Sequence, residues 1–342
     1  MSLISTSTGL VERLPMPDAL TRFGIAQLVA RTHRRMATAQ GDIDTAFAAA
    51  MITHPIAEHT ADANAQHYEL PEAFFGLILG PHRKYSSCLY RTAEETLAQA
   101  EANALEETCA HADVQDKQDI LELGCGWGSL SLWMAEHYPL ARVTAVSNSH
   151  SQRLYIEAAA QARGLHNLRV ITADMNDFDP GARFDRIVSV EMFEHMANWN
   201  ALLTRARTWL RPDGRLFLHV FTHVSAPYRF DTADPADWIA RHFFTGGIMP
   251  SHSLIRSFPH LFEVEHDWRW DGRQYQRTAR DWLARYDANI KRIDDLLGGV
   301  YGTQAPLWRR RWRLFFLAVE GLFGHDDGRA WGVSHYRLKP VL

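Results

Sequence analysis

Residues 120–129 read Ile-Leu-Glu-Leu-Gly-Cys-Gly-Trp-Gly-Ser. Four residues of a buried strand run into three glycines, and Leu130, Leu132 and Trp133 follow at the start of an expected helix. Strand, glycine turn and helix together mark the entry to a nucleotide-type site at the carboxyl edge of a parallel sheet. Glycines let the backbone turn sharply and let a ligand approach without meeting a Cβ. The first N–H groups of the following helix point into the same crevice.

The details narrow the ligand. Gly124, Gly126 and Gly128 are spaced G-x-G-x-G, with Ser at 129. A dinucleotide site wants Gly or Ala there and an acid roughly 20 residues later, but the next strand ends Ser147-Asn148-Ser149. A phosphate loop wants Gly-Lys-Ser/Thr, and no Lys follows. Glu122 lies inside the strand, two residues before the turn. A carboxylate there suits a cationic or hydroxyl-rich ligand better than a pyrophosphate. S-adenosylmethionine (SAM) has an ammonium, a sulfonium and no phosphate, so SAM is the expected cofactor and S-adenosylhomocysteine (SAH) its product.

Outward from this turn the alternation is regular. Strands are expected at 119–124, 142–147, 168–173, 184–190 and 215–221, with helices at 127–138, 150–163 and 198–209. That rhythm implies right-handed crossovers and an α/β fold: a Rossmann-like, doubly wound, mostly parallel seven-stranded sheet. Later segments at 262–270 and 333–338 read as closing strands, and 278–297 and 306–323 as helices. Before the core, residues 1–16 read as a Ser- and Thr-rich tail, followed by helices at 19–38 and 43–51 that suit a cap or a homodimer contact. Residues 62–92 mix aromatic and polar side chains in loop-like surroundings, and 92–108 reads as a helix with Glu94 and Glu95 near its start. The rhythm breaks after Thr222, where 223–255 has no clear period and reads as an inserted lid. The expected organisation is therefore a helical extension at 1–60, a cofactor-binding core with its preceding cap loop at 61–222, a helical lid at 223–260, and C-terminal helices and closing strands at 261–342.

Composition sets limits. Of the 342 residues 46% are apolar and 22% charged, which is ordinary for a globular chain, and the net charge of −4 gives no reason to expect a nucleic-acid partner. Three cysteines make a disulfide framework an unlikely basis for the fold and point to a reducing compartment, hence a cytoplasmic location. The first 15 residues lack the apolar run of a signal peptide. No window of about 18 apolar residues suggests a membrane span. Despite 18 histidines there is no H-E-x-x-H and no Cys-x-x-Cys, so no metal is expected.

Strand ends in an open α/β sheet gather at one crevice. Here they bring Glu122, Asn148, Asp174 and Glu191. Asn148 and Gln152 suit ribose hydroxyls; Asp174 suits an adenine amine, with Met175 against the ring. Just after the fourth strand stands Glu191-Met192-Phe193-Glu194-His195. Carboxylates favour a cation, and a neutral histidine accepts a proton near pH 7.

The run 121–129 resembles the first motif of class I SAM-dependent methyltransferases. Lys84-Tyr85-Ser86-Ser87-Cys88, Gln66-His67-Tyr68-Glu69, Ser189 to Met196 and Phe243 to Ser251 resemble the cyclopropane-fatty-acid synthase-like superfamily, over roughly residues 60–340. Two branches compete. One methylenates lipid double bonds with a bound bicarbonate as base; the other, the coclaurine N-methyltransferase-like enzymes, methylates amines. The resemblance implies Gly in the lipid branch where this chain has Glu191, a His after the Trp at 268 where it has Arg269, and a late-helix Tyr where it has Phe315-Phe316. These differences favour a small aromatic amine as substrate. Lipid methylenation is the alternative, and a SAM-binding sensor without catalysis is a third possibility from another class. The resemblance also implies Tyr85, Ser86 and Val190 beside the cofactor. Glu191 and Glu194 are expected to orient and stabilise the amine and His195 to take its proton. Cys88, Phe193, Trp238, Phe244 and Trp331 are candidate pocket walls.

Overall fold

Alternate residues of a strand face opposite sides of a sheet, so strands covered on both sides read as continuous apolar runs. The computed structural model describes residues 16–38, 41–58, 70–234 and 237–341, together with Glu12. Its strands are β1 (Asp119–Leu123), β2 (Arg142–Ser147), β3 (Leu168–Thr172), β4 (Phe184–Val190), β5 (Leu210–His223), β6 (Tyr228–Arg229), β7 (Ile248–Met249), β8 (Phe262–Asp271) and β9 (Trp331–Pro340). Seven form one sheet in the order β3-β2-β1-β4-β5-β9-β8, and β6 and β7 form a separate ribbon. The first five sheet strands run parallel; β9 inserts antiparallel between β5 and β8. The strand order reverses beside β1, at the glycine turn.

The helices are α1 (Asp18–Ala37), α2 (Ile43–Met51), α3 (Glu72–Ile78), α4 (Leu97–His111), α5 (Ser129–His137), α6 (His150–Ala162), α7 (Trp199–Trp209), α8 (Trp238–His242), α9 (Gly272–Ala288), α10 (Ile290–Tyr301) and α11 (Ala305–Phe323). On one face Ile120, Val188 and Phe217 pack with Leu105 of α4 and Leu130 and Met134 of α5. On the other, Leu121, Leu123, Ile187, Leu216 and Leu218 pack with Leu202 and Leu203 of α7. Each such aliphatic side chain contributes about 1.5–3 kcal/mol on full burial. A third, strongly aromatic core joins α3, α9 and α11 through Phe74, Phe75, Trp282, Tyr286, Trp312 and Phe316.

Several expectations are corrected. The stretch 62–92 is not wholly loop-like: 72–78 forms α3. Phe74, Phe75, Leu77 and Ile78 are all buried, so this short helix has no polar face from which a period could be read. Residues 59–69, with Gln66-His67-Tyr68-Glu69, and the first 11 residues lie outside the described residues. The helix expected at 92–108 starts at Leu97, behind a Thr96–Gln99 capping box. Glu95 instead accepts the backbone N–H of Arg91 at 2.6 Å. The helix expected at 278–297 is two helices broken at Asn289, whose amide donates to the Leu77 carbonyl at 3.2 Å. Strands β5 and β9 extend beyond 215–221 and 333–338 because they pair with each other along residues 216–223 and 331–338. Among the described residues no helix is long and apolar enough to cross a membrane, and no group of three or more His, Cys, Asp or Glu could hold a metal ion.

Candidate active site

The carboxyl ends of β1, β2, β3 and β4 open into a cleft of about 780 Å³, part of it open to solvent. It is lined by Gly124, Gly126, Asn148, Gln152, Asp174, Met175, Glu191 and His195, with Ala57, Glu58 and Thr245 from outside the sheet. A second cleft of about 590 Å³ adjoins it along Gly124, Gly126, Gln152 and Glu191, and adds Tyr85, Ser86, Glu122 and Val190. Thus every residue expected beside the cofactor lines one cleft or the other.

The glycine turn is built as its composition requires. Gly124, Gly126 and Gly128 have φ of +80°, +51° and +76°, the left-handed region that costs an L-residue about 1–2 kcal/mol. A Cβ on Gly124 would lie 2.5 Å from Met192 Cγ, and one on Gly128 2.5 Å from Ile156 Cγ1. A Cβ on Gly126 would meet nothing within 4 Å and would project into cleft space.

The donor set fits SAM. Ser147 Oγ donates to Gln152 Oε1 at 2.6 Å, which fixes the amide and leaves Gln152 Nε2 buried with no acceptor among the described residues. Trp127 Nε1 and Ser129 Oγ, on the second cleft, are orphaned in the same way. Such groups cost free energy until a ligand meets them. Glu122 is buried, takes a hydrogen bond from the Ser131 hydroxyl, and has its carboxyl pushed up to about 7 by burial. Asp174 is partly committed, since its Oδ1 accepts the Asn176 N–H at 2.8 Å. Glu122, Asn148, Gln152 and Asp174 would hold the cofactor, which supplies an electrophilic methyl when bound. Gly126→Val is expected to weaken SAM binding at least tenfold, about 1.4 kcal/mol, as read by calorimetric titration; unchanged affinity would remove Gly126 from the binding surface.

Glu191 directly follows β4 and has φ of +47°. A strained non-glycine residue at a strand end is an observation from which function is inferred. Two donors and a histidine nitrogen converge on its carboxylate. Ser87 N–H donates to Oε1 at 2.9 Å, Tyr275 O–H donates to Oε2 at 2.7 Å, and His219 Nε2 stands 3.3 Å from Oε1. Burial raises its pKa and the Lys84 ammonium pulls it back. Lys84 itself is buried, donating to Ser86 Oγ and the Ser87 carbonyl at 2.6 Å each.

His195 lines the first cleft and stacks on Phe244, ring centroids 4.5 Å apart. Burial lowers its pKa to about 4, so the imidazole is neutral at physiological pH. Glu194 is set behind the cleft rather than on it. Its Oε1 accepts the Phe221 N–H at 2.7 Å, and its Oε2 has no partner among the described residues. Burial first, then the Glu191 charge, holds its pKa well above the carboxylate range.

Most of the expected pocket walls are elsewhere. Phe193 is buried beneath the site against Trp199. Trp238 packs on His242 and Phe243 and donates its N–H to Glu12. Trp331 packs against His33, His223 and His325. Cys88 is fully buried, with its backbone N–H donating to Thr278 Oγ1 at 3.0 Å. None of these four lines either cleft, while Phe244 stacks on the cleft-lining His195. Of the positions used to weigh the branches, Glu191 is on the clefts and the others are remote. Trp268 stacks on His111 at 3.8 Å, Arg269 donates to the Arg329 carbonyl at 2.8 Å, and Phe315 stacks on Phe243 at 4.5 Å.

The model of the mycolic acid cyclopropane synthetase family matches residues 57–326. The chain belongs to that family. It is 35% identical over 289 residues, 83% of this chain and 80% of the relative, to the (S)-coclaurine N-methyltransferase of Thalictrum flavum subsp. glaucum. It is 28% identical over 80% of its length and 67% of the relative to the cyclopropane-fatty-acyl-phospholipid synthase of Escherichia coli K12. A crystal structure of coclaurine N-methyltransferase bound to N-methylheliamine and SAH superposes with a TM-score of 0.95 at 31% identity, covering 99% of this chain and 100% of that one. This member of the family is a SAM-dependent methyltransferase.

Proposed function

We propose that the protein methylates the nitrogen of a small cyclic aromatic amine of the isoquinoline kind, with SAM as donor. One observation carries the reading: the Glu191 carboxylate, held by Ser87 N–H, Tyr275 O–H and His219, beside a neutral His195 on the same cleft. In-line transfer from a sulfonium to nitrogen moves positive charge onto that nitrogen. A fixed carboxylate stabilises this developing charge. Glu191 orients the amine and balances the nascent ammonium. His195 lines the same cleft as a neutral imidazole, the form that can accept a proton. Glu194 acts from behind through its charge state, since the Glu191 charge is one of the causes that raise its pKa and the two ionisations depend on each other. Phe244 holds the His195 ring by stacking and adds an aromatic face that a cation would favour. The relatives named above as amine methyltransferases support the same reading.

The lipid reading is tested directly against it. Incubation with methyl-labelled SAM is expected to label tetrahydroisoquinolines on nitrogen with release of SAH, and to leave unsaturated phospholipid unlabelled whether or not bicarbonate is supplied. Label in phospholipid that depends on bicarbonate, or no methyl release with any amine, overturns the proposal.

A further inference from the structure

Glu191 is one end of a hydrogen-bonded chain that crosses the sheet away from the cleft. His219 on β5 places Nε2 3.3 Å from Glu191 Oε1 and Nδ1 2.8 Å from Nε2 of His335 on β9, its direct cross-strand partner. His335 Nδ1 is 2.8 Å from Nδ1 of His111, the last residue of α4. His111 Nε2 is 3.3 Å from Glu107 Oε1, one turn back on the same helix and partly open to solvent. Both nitrogens of all three imidazoles are therefore committed to one line from the cleft to the surface. His219 and His335 are fully buried. Trp270 packs against both rings, Phe217 against His335, and Trp268 on His111.

We propose that His219, His335 and His111 form a relay that carries the proton His195 takes from the reacting nitrogen, once it has passed from the His195 N–H to the Glu191 carboxylate on the same cleft, onward to Glu107 and solvent. The idea rests on the amine reading above. A count of protons makes it work. Two carboxylates and three imidazoles leave four gaps, and three neutral imidazoles fill three of them with one N–H each. One gap is open, and a proton delivered to Glu191 fills it. In the transfer the Glu191 O–H breaks as His219 Nε2–H forms. His219 Nδ1–H breaks as His335 Nε2–H forms, and His335 Nδ1–H breaks as His111 Nδ1–H forms. Finally His111 Nε2–H gives its proton to Glu107 or water. No electron changes hands and one proton leaves for each that enters. Every N–H then points back toward Glu191, so the rings turn over before the next passage.

The charged groups facing the chain fit a neutral resting state. Lys84 lies near His219 and His335, and Arg337 and Glu107 lie near His111. Burial, with these cations, lowers all three imidazoles, so a proton that enters does not stay.

The test uses the SAM-bound protein. His335→Ala removes the middle ring without touching the cleft. It is expected to lower kcat with a good amine at least about tenfold while SAM affinity holds. Millimolar imidazole should restore the rate, and 1-methylimidazole, which fills the same space and cannot pass a proton between its nitrogens, should not. An unchanged kcat, or equal rescue by both, overturns the relay. A second measurement needs no acceptor and no variant: ¹⁵N–¹⁵N couplings across the His219–His335 and His335–His111 hydrogen bonds. Their absence overturns the relay even if amines are methylated. A wild type silent toward every amine, with these couplings present, instead overturns the amine reading and leaves the wire standing.

Discussion

His195→Ala is expected to lower kcat/KM for a good amine by a factor of about 10²–10⁴, while the dissociation constant for SAM stays within about twofold. The ring lines the cleft and stacks on Phe244. The hydrogen bond that shapes the turn, from the His195 N–H to the Met192 carbonyl at 2.9 Å, belongs to the backbone and survives the substitution. Because burial keeps His195 neutral down to about pH 4, its protonation does not set the acid side of the rate profile. That side belongs to the Glu191–Glu194 pair and to the amine. Initial rates against pH, with SAM titration by calorimetry, check both parts. A rate within twofold of wild type would remove His195 from the reaction.

The second large effect runs against intuition. Glu122→Gln is expected to stabilise the cofactor-free protein at pH 8 by about 3 kcal/mol and to weaken SAM binding at the same time. The Glu122 carboxyl has its pKa raised by burial from 4.5 to about 7. A raised carboxyl contributes its full share of stability below about pH 4.5, and this is lost as pH rises toward 7. Across that window the unfolded chain has already released the proton that the folded chain still holds. A neutral amide of the same shape keeps a hydrogen-bond partner for Ser131 and escapes the loss. Denaturant unfolding at pH 4.5 and pH 8 should therefore show little difference between wild type and variant at the lower pH and a gap at the higher. Glu122 lines the second cleft, where an ionised carboxylate bound to the cofactor would make this a trade between stability and function. A variant less stable than wild type at pH 8 would mean that Glu122 is ionised and satisfied before SAM arrives.

Much of this was legible in the chain. The three glycines and the apolar run before them fixed the place of β1 and the turn, since left-handed backbone and two-sided burial leave strong local marks. Strand ends converge by topology, so Glu122, Asn148, Asp174 and Glu191 reach the same pair of clefts without any knowledge of packing. Residues that act through tertiary contact left no such mark. Tyr275 comes from α9, and His219 occupies a β5 position that reads as one more strand residue. Their meeting with Glu191 depends on the β4–β5 register, which sets His219 beside Val190, and on how α9 returns to the sheet. Ala57 and Glu58 line the cleft because 56–58 clips onto the turn after β4, with the Ala197 N–H donating to the Ile56 carbonyl at 2.7 Å. Aromatic content misled in a specific way. Trp238 and Trp331 are buried as their chemistry demands, but hydrophobicity states that a ring is covered and not what covers it.

The backbone at Glu191 carries one more implication. A φ of +47° is a conformation glycine adopts freely and glutamate resists. The residue easiest to place at position 191 is thus one with no carboxylate at all. It would leave Ser87 N–H, Tyr275 O–H and His219 turned toward an empty space shaped for a small anion. In this chain the anion is tethered, present at a fixed stoichiometry and independent of what is dissolved outside. On the amine reading, a glycine at 191 would leave that counter-charge to be borrowed from solution.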